Sequence, residues 1–581
     1  MKVTYSAKAN ITHRTQQLQD GKSVEVISLT QAEHAQDAQD AQLVLEWSFP
    51  ILDIAGRWHP NCRFDRSIKA DWSHGEKSMS AVSAPVISFF NEDGENRGTF
   101  ALSETLKEVR MSLGVHEEDG TMNCMVVVSL GALDSDCYEL SLLCDDRNVR
   151  YEQAIREVGL WWEKDCGLHP ASVPESAREP MYSFWYSYHQ QFTDEEIEAE
   201  CKRAKELGFG TVIVDDGWQT DDTNRGYGFC GDWKPAAGKI KDMRKHVEKV
   251  HQMGLKYLLW LSVPYVGIHS EIWKHFHDKL IGMDWQQNTG ILDIRYPEVR
   301  EYLSKVYADA VKDWDLDGLK LDFIDEFYQR RETPAVNEQM DCACIQQALD
   351  KLLAETMERL KKEKQDILIE FRQRYIGPSI RRYGNIFRVC DCPDSGISNR
   401  VGIVDLRLLS GNTAVHSDML MWNKEEKAEI AALQVIDCLF GTMQFSVRLD
   451  SMKEEHKRML KNYMAFMQHH QELLQQAPII AQEPQNLYPQ VCVQNEQTEI
   501  TALYSRNRVV ELGDTEESII VNGSAATAVF VEAKAPLVAQ VTVFDCMGTT
   551  VCSRQMNLSA VEKIICPIGG RVEIKSKEFV Q

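Results

Sequence analysis

The chain has 581 residues, which is too long for one ordinary hydrophobic core, so roughly two to four domains are expected. Hydrophobic residues make up 43% of it and charged residues 26%, as in folded globular proteins. Its 88 acidic and 64 basic side chains give a formal net charge of −24. This balance argues against a surface for nucleic acid or an anionic membrane, because both need a basic patch.

The first residues and the cysteines bear on the cellular compartment. The opening segment MKVTYSAKANITHRTQQLQDGK has no apolar centre of the kind found in signal peptides, and no run approaches the roughly 18 apolar residues of a membrane span. The 16 cysteines are scattered, and no C-x-x-C motif occurs. We therefore expect reduced thiols, a cytoplasmic location and no structural zinc site.

Residues 1–175 are predicted to form an N-terminal β-sandwich domain. Runs such as VEVISL, LVLEWSF, APVISFF and MNCMVVVSL alternate apolar and polar residues, or are apolar throughout, as strands do. The turn signals NEDGENRG and HEEDG separate them.

Residues 176–478 are predicted to form a catalytic (β/α)8 barrel. Strand candidates such as TVIVDD, LKYLLWL, GLKLDF and DILIEF alternate with amphipathic helices, and this order indicates a parallel sheet. One helix is expected to begin after the N-cap Thr193, another to open with Pro297, and a long one to cover roughly 337–363. About eight such repeats fit a closed barrel, and no G-x-G-x-x-G follows a strand to suggest a dinucleotide site. Residues 479–581 alternate strands and turns again, which predicts a small antiparallel C-terminal β domain.

Charged side chains recur where the predicted barrel strands end, which is the edge that carries active sites in such barrels. They are Asp215, Asp216, Lys320, Asp322, Asp325, Glu370, Arg372, Arg374, Arg388, Asp391, Asp394, His416 and Asp418. Each alone could be a turn, a helix cap or part of an ion pair. Carboxylates at five successive strand ends repel one another, so the set indicates a functional site.

Two chemistries use a rim of carboxylates: binding of a divalent metal, and glycoside hydrolysis between two carboxyl groups. Tryptophans near the rim favour the second, because sugar rings stack on aromatic side chains; they are Trp185, Trp218, Trp233, Trp260 and Trp422. Lys320 would repel a metal near Asp322 and would instead lower the pKa of that carboxyl, which suits a nucleophile. We expect no metal and no cofactor.

The chain resembles the retaining α-galactosidases of glycoside hydrolase family thirty-six, in the melibiase-like clan. The similar segments include SAPVISFFNEDGENRGTFALSE, VDDGWQ, GDW, LDIRYPEVREYL, GLKLDFID and DCPDSGISNR, and they extend from about residue 80 to 475. The resemblance implies hydrolysis of terminal α-galactosyl residues of small galactosides by double displacement. It leaves both a monomer and a homo-oligomer open.

The resemblance also implies roles for individual residues. Asp322 matches the catalytic nucleophile, and Asp391 matches the acid/base aspartate, with Asp394 as the weaker candidate for that second role. Asp215, Asp216, Trp218, Trp233 and Lys320 match substrate-binding positions of the family. Four further residues of the rim are also expected to bind substrate: Arg388, Asp394, Arg372 and Trp185. We further expect the Asp322 and Asp391 carboxyls to lie roughly 5–5.5 Å apart, and the pKa of Asp391 to be raised.

One segment departs from the family. EFRQRYIGPSIRRYGN, which contains Glu370, Arg372 and Arg374, replaces a cysteine and a glycine-rich run near the sugar 2-hydroxyl. The arginines either recognise an acidic sugar or pair with Glu370 and the acidic rim. The alternatives are therefore the same mechanism on an α-N-acetylgalactosaminide or an acidic α-glycoside, and, from another class, a non-catalytic carbohydrate-binding protein.

Overall fold

Two antiparallel sheets form the N-terminal region of the computed structural model, which describes residues 1–31, 40–131, 133 and 137–576. In spatial order, the first sheet contains β1 (Lys2–Tyr5), β4 (Gln42–Pro50), β10 (Thr121–Ser129), β9 (Val109–His116) and β6 (Glu76–Ser78). The second contains β2 (Asn10–Gln17), β3 (Ser23–Thr30), β11 (Cys137–Asp145), β8 (Asn96–Leu102), β7 (Val86–Phe90) and β5 (Gly56–Trp58). Alternate side chains of the two sheets, such as Ile27 and Val126, meet in a buried apolar cluster. The predicted β-sandwich is confirmed.

A helix that the strand patterns did not suggest follows the sandwich. This helix, α1 (Tyr151–Lys164), buries Ala154 and Val158 on one side, at the spacing of one helical turn. Trp162 Nε1 donates a hydrogen bond of 2.8 Å to a backbone carbonyl of β8. The helix therefore ties the second sheet to the rest of the chain.

Eight parallel strands form the barrel, as predicted. In order around it they are β12 (Met181–Ser183), β13 (Thr211–Val214), β14 (Lys256–Ser262), β18 (Gly318–Asp322), β19 (Leu368–Arg372), β20 (Ile386–Arg388), β21 (Ala414–His416) and β22 (Gln444–Phe445). The last strand pairs with β12, and parallel bridges from His416 to Thr442 and from Leu420 to Phe445 close the ring. All eight carboxyl ends therefore point to one side.

Most of the predicted barrel helices form, with some altered boundaries. The helices after α1 are α2 (Trp185–Tyr188), α3 (Asp194–Leu207), α4 (Met243–Gln252), α5 (Trp273–Phe276), α6 (Pro297–Trp314), α7 (Ile345–Glu363), α8 (Gly396–Leu409), α9 (Ala428–Asp437), α10 (Glu454–His469) and α11 (Gln471–Gln476). Thr193 caps α3 in a capping box with Glu196, as expected. The helix predicted for 337–363 begins only at Ile345, and a three-stranded antiparallel sheet that was not predicted, β15 (Tyr265–Gly267), β16 (Leu280–Asp284) and β17 (Thr289–Leu292), follows β14.

Two further sheets form the C-terminal region. One contains β23 (Ile480–Gln482), β24 (Gln490–Gln494), β25 (Thr498–Leu503), β27 (Glu517–Asn522), β32 (Arg571–Ser576), β29 (Leu537–Phe544) and β30 (Thr550–Leu558), and the other contains β26 (Val509–Leu512), β28 (Ala528–Ala533) and β31 (Val561–Ile565). The prediction of a purely antiparallel arrangement is wrong for two pairs, because β25 with β27 and β26 with β28 run parallel. In each of these pairs, the strand that lies between the two in sequence belongs to the other sheet. The two paired strands can therefore run in the same direction.

A buried carboxylate joins the three parts of the fold. Asp405 of α8 accepts hydrogen bonds from Trp58 Nε1 at 2.8 Å, Arg66 Nη2 at 3.0 Å and Tyr488 Oη at 2.6 Å. These donors come from the N-terminal and the C-terminal regions, and one buried apolar cluster extends through all three parts. The domain boundaries after residues 175 and 478 stay predictions.

No helix in residues 1–31, 40–131, 133 and 137–576 combines the length and apolar character needed to cross a membrane.

Candidate active site

Asp322 ends the fourth barrel strand and is held by four donors. Its Oδ1 accepts hydrogen bonds from Arg372 Nε at 2.8 Å, from Tyr375 Oη at 2.6 Å and from the backbone N–H of Phe323 at 2.8 Å. Its Oδ2 accepts one hydrogen bond, of 3.0 Å, from Trp260 Nε1. The carboxylate is therefore buried and fixed in orientation, with one oxygen less occupied than the other.

The charge of Asp322 is stabilised by neighbouring cations. Burial alone would raise the pKa of this carboxyl, but Arg372 and then Lys320 lower it far below its usual value. The predicted influence of Lys320 on this pKa is therefore present, although its ammonium bonds directly to Asp215 Oδ2 at 2.6 Å. Asp322 stays ionised throughout the ordinary pH range.

Asp215 and Asp216 follow the second barrel strand, and both are buried. Asp216 accepts hydrogen bonds from the amide groups of Gln190, at 2.6 Å, and Gln219, at 2.7 Å. Burial raises the pKa of Asp216 to about 6, more than these amides lower it. The pair thus presents one carboxyl that is ion-paired with Lys320 and one whose pKa is raised to about 6.

The predicted aromatic residues occupy different depths. Trp218 has no exposed surface; its ring stacks on that of Trp233 with centroids 6.1 Å apart, and its Nε1 donates to the Trp260 carbonyl at 2.9 Å. Trp233 is 4% exposed, and Trp185 is half-buried against the His189 ring. In this conformation Trp218 supports the site from beneath, and a direct contact with a sugar stays a prediction.

Arg388, at the end of the sixth barrel strand, gathers three carboxylates. It donates to Asp418 Oδ1 at 2.5 Å and to Asp391 Oδ1 at 2.9 Å, and its Nε lies 3.4 Å from Glu370. Tyr186 Oη donates to the second oxygen of Asp418 at 2.9 Å. Arg388 is itself fully buried, so it acts as a structural hub and has little surface left for a ligand.

The expected rise in the pKa of Asp391 is wrong for this conformation. Burial alone would raise the pKa of Asp391, but the charges of Arg388, and then of Lys320 and Arg372, together hold it below its usual value. Burial instead raises the pKa of Asp418, the neighbour that shares the arginine. Asp391 is thus ionised at neutral pH before substrate arrives.

Asp394 lies apart from this cluster. Its Oδ1 accepts a hydrogen bond of 2.6 Å from Gln434 of α9, the residue is exposed, and its backbone is in the left-handed region at φ 57°. Asp391, by contrast, contacts Arg388 and is influenced by Asp322. The geometry favours Asp391 over Asp394 as the carboxyl that works together with Asp322.

The divergent segment pairs with rim aspartates rather than with Glu370. Arg372 binds Asp322 and lies 5.3 Å from the ring centres of Phe323 and Tyr375. Arg374 is half-exposed and lies 3.6 Å from Asp325. Arg372 is therefore committed to the site, whereas Arg374 faces solvent.

Three contacts around the site were not predicted from the sequence: those of Tyr375, Gln190 and Tyr186. Tyr375 lies in the loop after β19, Tyr186 lies in the short helix α2 and Gln190 follows that helix, so no periodic pattern marked them. A metal site has no support from side-chain clustering: among the described residues, no three His, Cys, Asp or Glu side chains converge in a way that could hold an ion.

Comparison with known proteins agrees with this architecture. Residues 172–379 match the melibiase family model. This match spans part of the barrel region, and it supports the resemblance to the family thirty-six α-galactosidases. "Alpha-galactosidase Mel36A" of Lactobacillus acidophilus is 27% identical over 158 residues, which are 26% of this chain and 20% of that relative's length.

Solved structures extend the likeness to almost the whole chain. The α-galactosidase of Lactobacillus brevis superposes with a TM-score of 0.64 at 15% identity, covering 99% of this chain and 85% of that one. The family thirty-six α-galactosidase AgaA of Geobacillus stearothermophilus gives 0.62 at 14% identity, covering 99% and 87%. A variant of that enzyme was crystallised with raffinose. At these identities the likeness shows the fold.

Proposed function

We propose that the protein is a retaining α-galactosidase that hydrolyses terminal α-galactosyl residues of small galactosides. The observation that carries the proposal is the buried, ionised Asp322 at the end of a barrel strand, oriented by three side chains and one backbone N–H. The α-galactosidase names of its relatives and their complex with raffinose support the substrate class.

Asp322 is the proposed nucleophile, and its Oδ2 is the attacking atom. Oδ1 already accepts three hydrogen bonds, whereas Oδ2 accepts one from Trp260 and keeps a lone pair for the anomeric carbon. Attack breaks the glycosidic bond and forms a covalent glycosyl-enzyme, which water then hydrolyses. Arg372 and Tyr375 keep the carboxylate ionised and aligned before attack, and they stabilise it again when it leaves.

Asp391 is the proposed acid/base. Its carboxyl is half-exposed, so it can exchange a proton with solvent and with the leaving oxygen. It must be protonated in the first step and ionised in the second. Because Arg388 favours the ionised form, protonation in the first step depends on substrate excluding water from the carboxyl. Arg388 is thus a positioning residue.

The sugar is proposed to lie over the second and fourth strands. Asp215 and Asp216 would accept hydrogen bonds from the 4- and 6-hydroxyls, and Lys320, bonded to Asp215, would donate to the same face. Trp233 and Trp185 would offer ring surfaces, with Trp218 beneath them. Gln190, which donates a hydrogen bond to Asp216, would orient that carboxyl toward the sugar.

A second candidate is the same mechanism on a sugar altered at C2. Arg372 touches the nucleophile, and hydrogen bonds to the 2-substituent form beside that residue in retaining enzymes. A 2-acetamido group or an acidic substituent would then meet Arg372 instead of a glycine-rich loop.

A panel of p-nitrophenyl glycosides tests both candidates: the α-galactoside, the α-N-acetylgalactosaminide, the α-glucoside and an α-galacturonide. Turnover of the α-galactoside in preference to the others supports the proposal, and preference for a C2-altered or acidic sugar supports the second candidate. The anomer formed first, followed by proton NMR, tests retention. Sugar binding without any turnover would instead support a non-catalytic carbohydrate-binding protein.

We further propose a cytoplasmic location, because buried thiols such as Cys201 and Cys438 suit a reducing compartment. Fractionation of cells that produce the protein tests this.

A homo-oligomer is compatible with the exposed apolar side chains of the sandwich, such as Leu52 and Trp72, and light scattering in solution decides between monomer and oligomer.

A further inference from the structure

A cavity of about 550 Å³ lies beside the proposed acid/base Asp391. Its walls come from two distant parts of the chain: the loop at residues 60–64 of the N-terminal region, and barrel residues that include Gln373, Arg374 and the first turns of α8. In the proposed reaction Asp391 protonates the glycosidic oxygen, so the leaving group must lie on the side of Asp391. This cavity is therefore where a leaving group would be held.

Two arginines line the cavity, and one of them, Arg63, has no ion pair with a described residue. Arg63 is exposed, and among the residues that the structure describes no carboxylate lies within 4.0 Å of its guanidinium. Arg374 is half-exposed, with Asp325 3.6 Å from its Nε. Asp65, two residues from Arg63, is paired with Lys69.

The carboxylates of the same wall bond to other arginines. Asp391 bonds to Arg388 at 2.9 Å, and Asp405 bonds to Arg66 at 3.0 Å. Arg63 is thus left without a carboxylate partner among the described residues, in a chain whose formal net charge is −24. An exposed guanidinium without such a partner attracts anions.

Phe64 adds an apolar surface next to these arginines. It is 52% exposed, which is unusual for a phenylalanine, and it lines the cavity. The loop that carries it is held by backbone hydrogen bonds from Cys62 to the His59 carbonyl, at 3.0 Å, and from Asp65 to the Cys62 carbonyl, at 2.8 Å. The aromatic face and the Arg63 side chain are thus presented from a fixed base.

We propose that this cavity is a leaving-group site selective for anionic aglycones: α-galactosides whose leaving group is a ring bearing a carboxylate or phosphate-type oxyanion. The ring would pack on Phe64, and Arg63 with Arg374 would bind the oxyanion through charge-assisted hydrogen bonds. The inference rests on the proposed function, which names Asp391 as the residue beside the leaving group.

The test compares aryl α-galactosides of nearly equal size: the para-carboxyphenyl, para-phosphonophenyl and neutral para-carbamoylphenyl compounds. The quantity measured is the ratio of kcat/KM for each anionic substrate to kcat/KM for the neutral one. We expect Arg63→Gln to lower this ratio about tenfold, the loss of one charge-assisted hydrogen bond, and Arg374→Gln to lower it as well. Arg14→Gln, an exposed arginine on β2, should leave the ratio unchanged.

Salt and the choice of anion sharpen the result. Raising sodium chloride from low to about 1 M should lower the wild-type ratio, because mobile ions screen exposed charges. A higher ratio for the carboxylate than for the phosphonate assigns a carboxylate, and the reverse assigns a phosphate-type group. Equal ratios in wild type and Arg63→Gln, with the neutral substrate turned over, would overturn this inference alone. No turnover of any aryl α-galactoside would overturn the proposed function and this inference with it.

Discussion

The ends of the fourth and sixth barrel strands carry the two proposed catalytic carboxylates in opposite settings. Asp322 has a side chain that is 7% exposed and accepts four hydrogen bonds, whereas Asp391 has a side chain that is 50% exposed and bonds to one arginine. Both are held near arginines, but only Asp322 is enclosed. Burial and accessibility thus distinguish two chemically identical groups, in keeping with the two roles proposed for them.

The difference follows from what each role requires. A nucleophile must keep its charge and point one lone pair at carbon, so enclosure by fixed donors helps it. An acid/base must gain and lose a proton in each cycle, so it needs access to water and to the leaving oxygen. The predictions below test this division of labour.

Removing the enclosed carboxylate should have the largest effect. Asp322→Ala should lower kcat for p-nitrophenyl α-galactoside by about 10⁴-fold or more, because no covalent intermediate can form. Steady-state kinetics with circular dichroism as the folding check measures it. Asp325→Ala, in the same loop but 3.6 Å from Arg374, is the matched control and should lose less than about tenfold. Near-normal turnover by Asp322→Ala would end its assignment as nucleophile.

Removing the accessible carboxylate should cost less and should depend on the leaving group. Asp391→Ala should lower kcat/KM for an unactivated galactoside such as raffinose about 10²–10⁴-fold, and less for p-nitrophenyl α-galactoside, whose leaving group needs little protonation. Asp394→Ala is the control, since Asp394 bonds to Gln434 outside the cluster. If Asp394→Ala shows the larger loss instead, the acid/base role moves to that residue.

The loss of activity with rising pH should reflect Asp391, with the titration of Asp216 at about pH 6 superimposed on it. Arg388 lowers the pKa of Asp391, and the first step needs the protonated form, so kcat/KM for raffinose should fall as pH rises and be highest on the acid side of neutrality. The titration of Asp322 should cause no loss of kcat/KM above strongly acidic pH, because the pKa of Asp322 lies far below its usual value. Profiles from pH 4 to 9 on raffinose and p-nitrophenyl α-galactoside measure this. An alkaline optimum with both substrates would contradict it.

Removing one hydrogen-bond donor to Asp322 should give the smallest effect on kcat/KM. Tyr375→Phe removes one of the three donors to Oδ1 and should lower kcat/KM about tenfold, with little change in the melting temperature. Tyr463→Phe is the control: it removes a buried hydrogen bond to Gly569, far along the chain in α10, and should lower only the melting temperature. Equal kinetic effects would mean that Tyr375 merely supports the fold.

Much of the fold was predictable because periodic patterns decide it. The capped helix after Thr193, the helix opened by Pro297 and the apolar run that ends in Asp322 all follow from local sequence. The ends of those runs also marked where Asp215, Asp322 and Asp391 would lie. Local patterns do not show which strand enters which sheet, so the parallel pairs in the C-terminal region were missed.

The electrostatics of the site could not be predicted in the same way. The pKa of Asp391 depends on burial and on Arg388, three residues earlier, and Asp418, beyond the next strand, accepts a hydrogen bond from the same arginine. Tyr375 reaches Asp322 from a loop whose course no period describes. The hydrogen-bond partners and the pKa of a site residue depend on residues from several elements. The sequence alone shows only which residues are candidates for those contacts.

The hydrogen bonds of Asp405 bear on which part of the chain would determine the leaving group that is accepted. Because this one carboxylate of α8 binds Trp58 and Arg66 from the sandwich and Tyr488 from the C-terminal region, the loop at residues 60–64 is anchored to the barrel itself. A barrel transplanted without its sandwich would keep Asp322 and Asp391 but would lose the cavity wall and leave Asp405 without two of its donors. Recombination that exchanges sandwiches among relatives would therefore change the proposed leaving-group cavity while sparing Asp322 and Asp391.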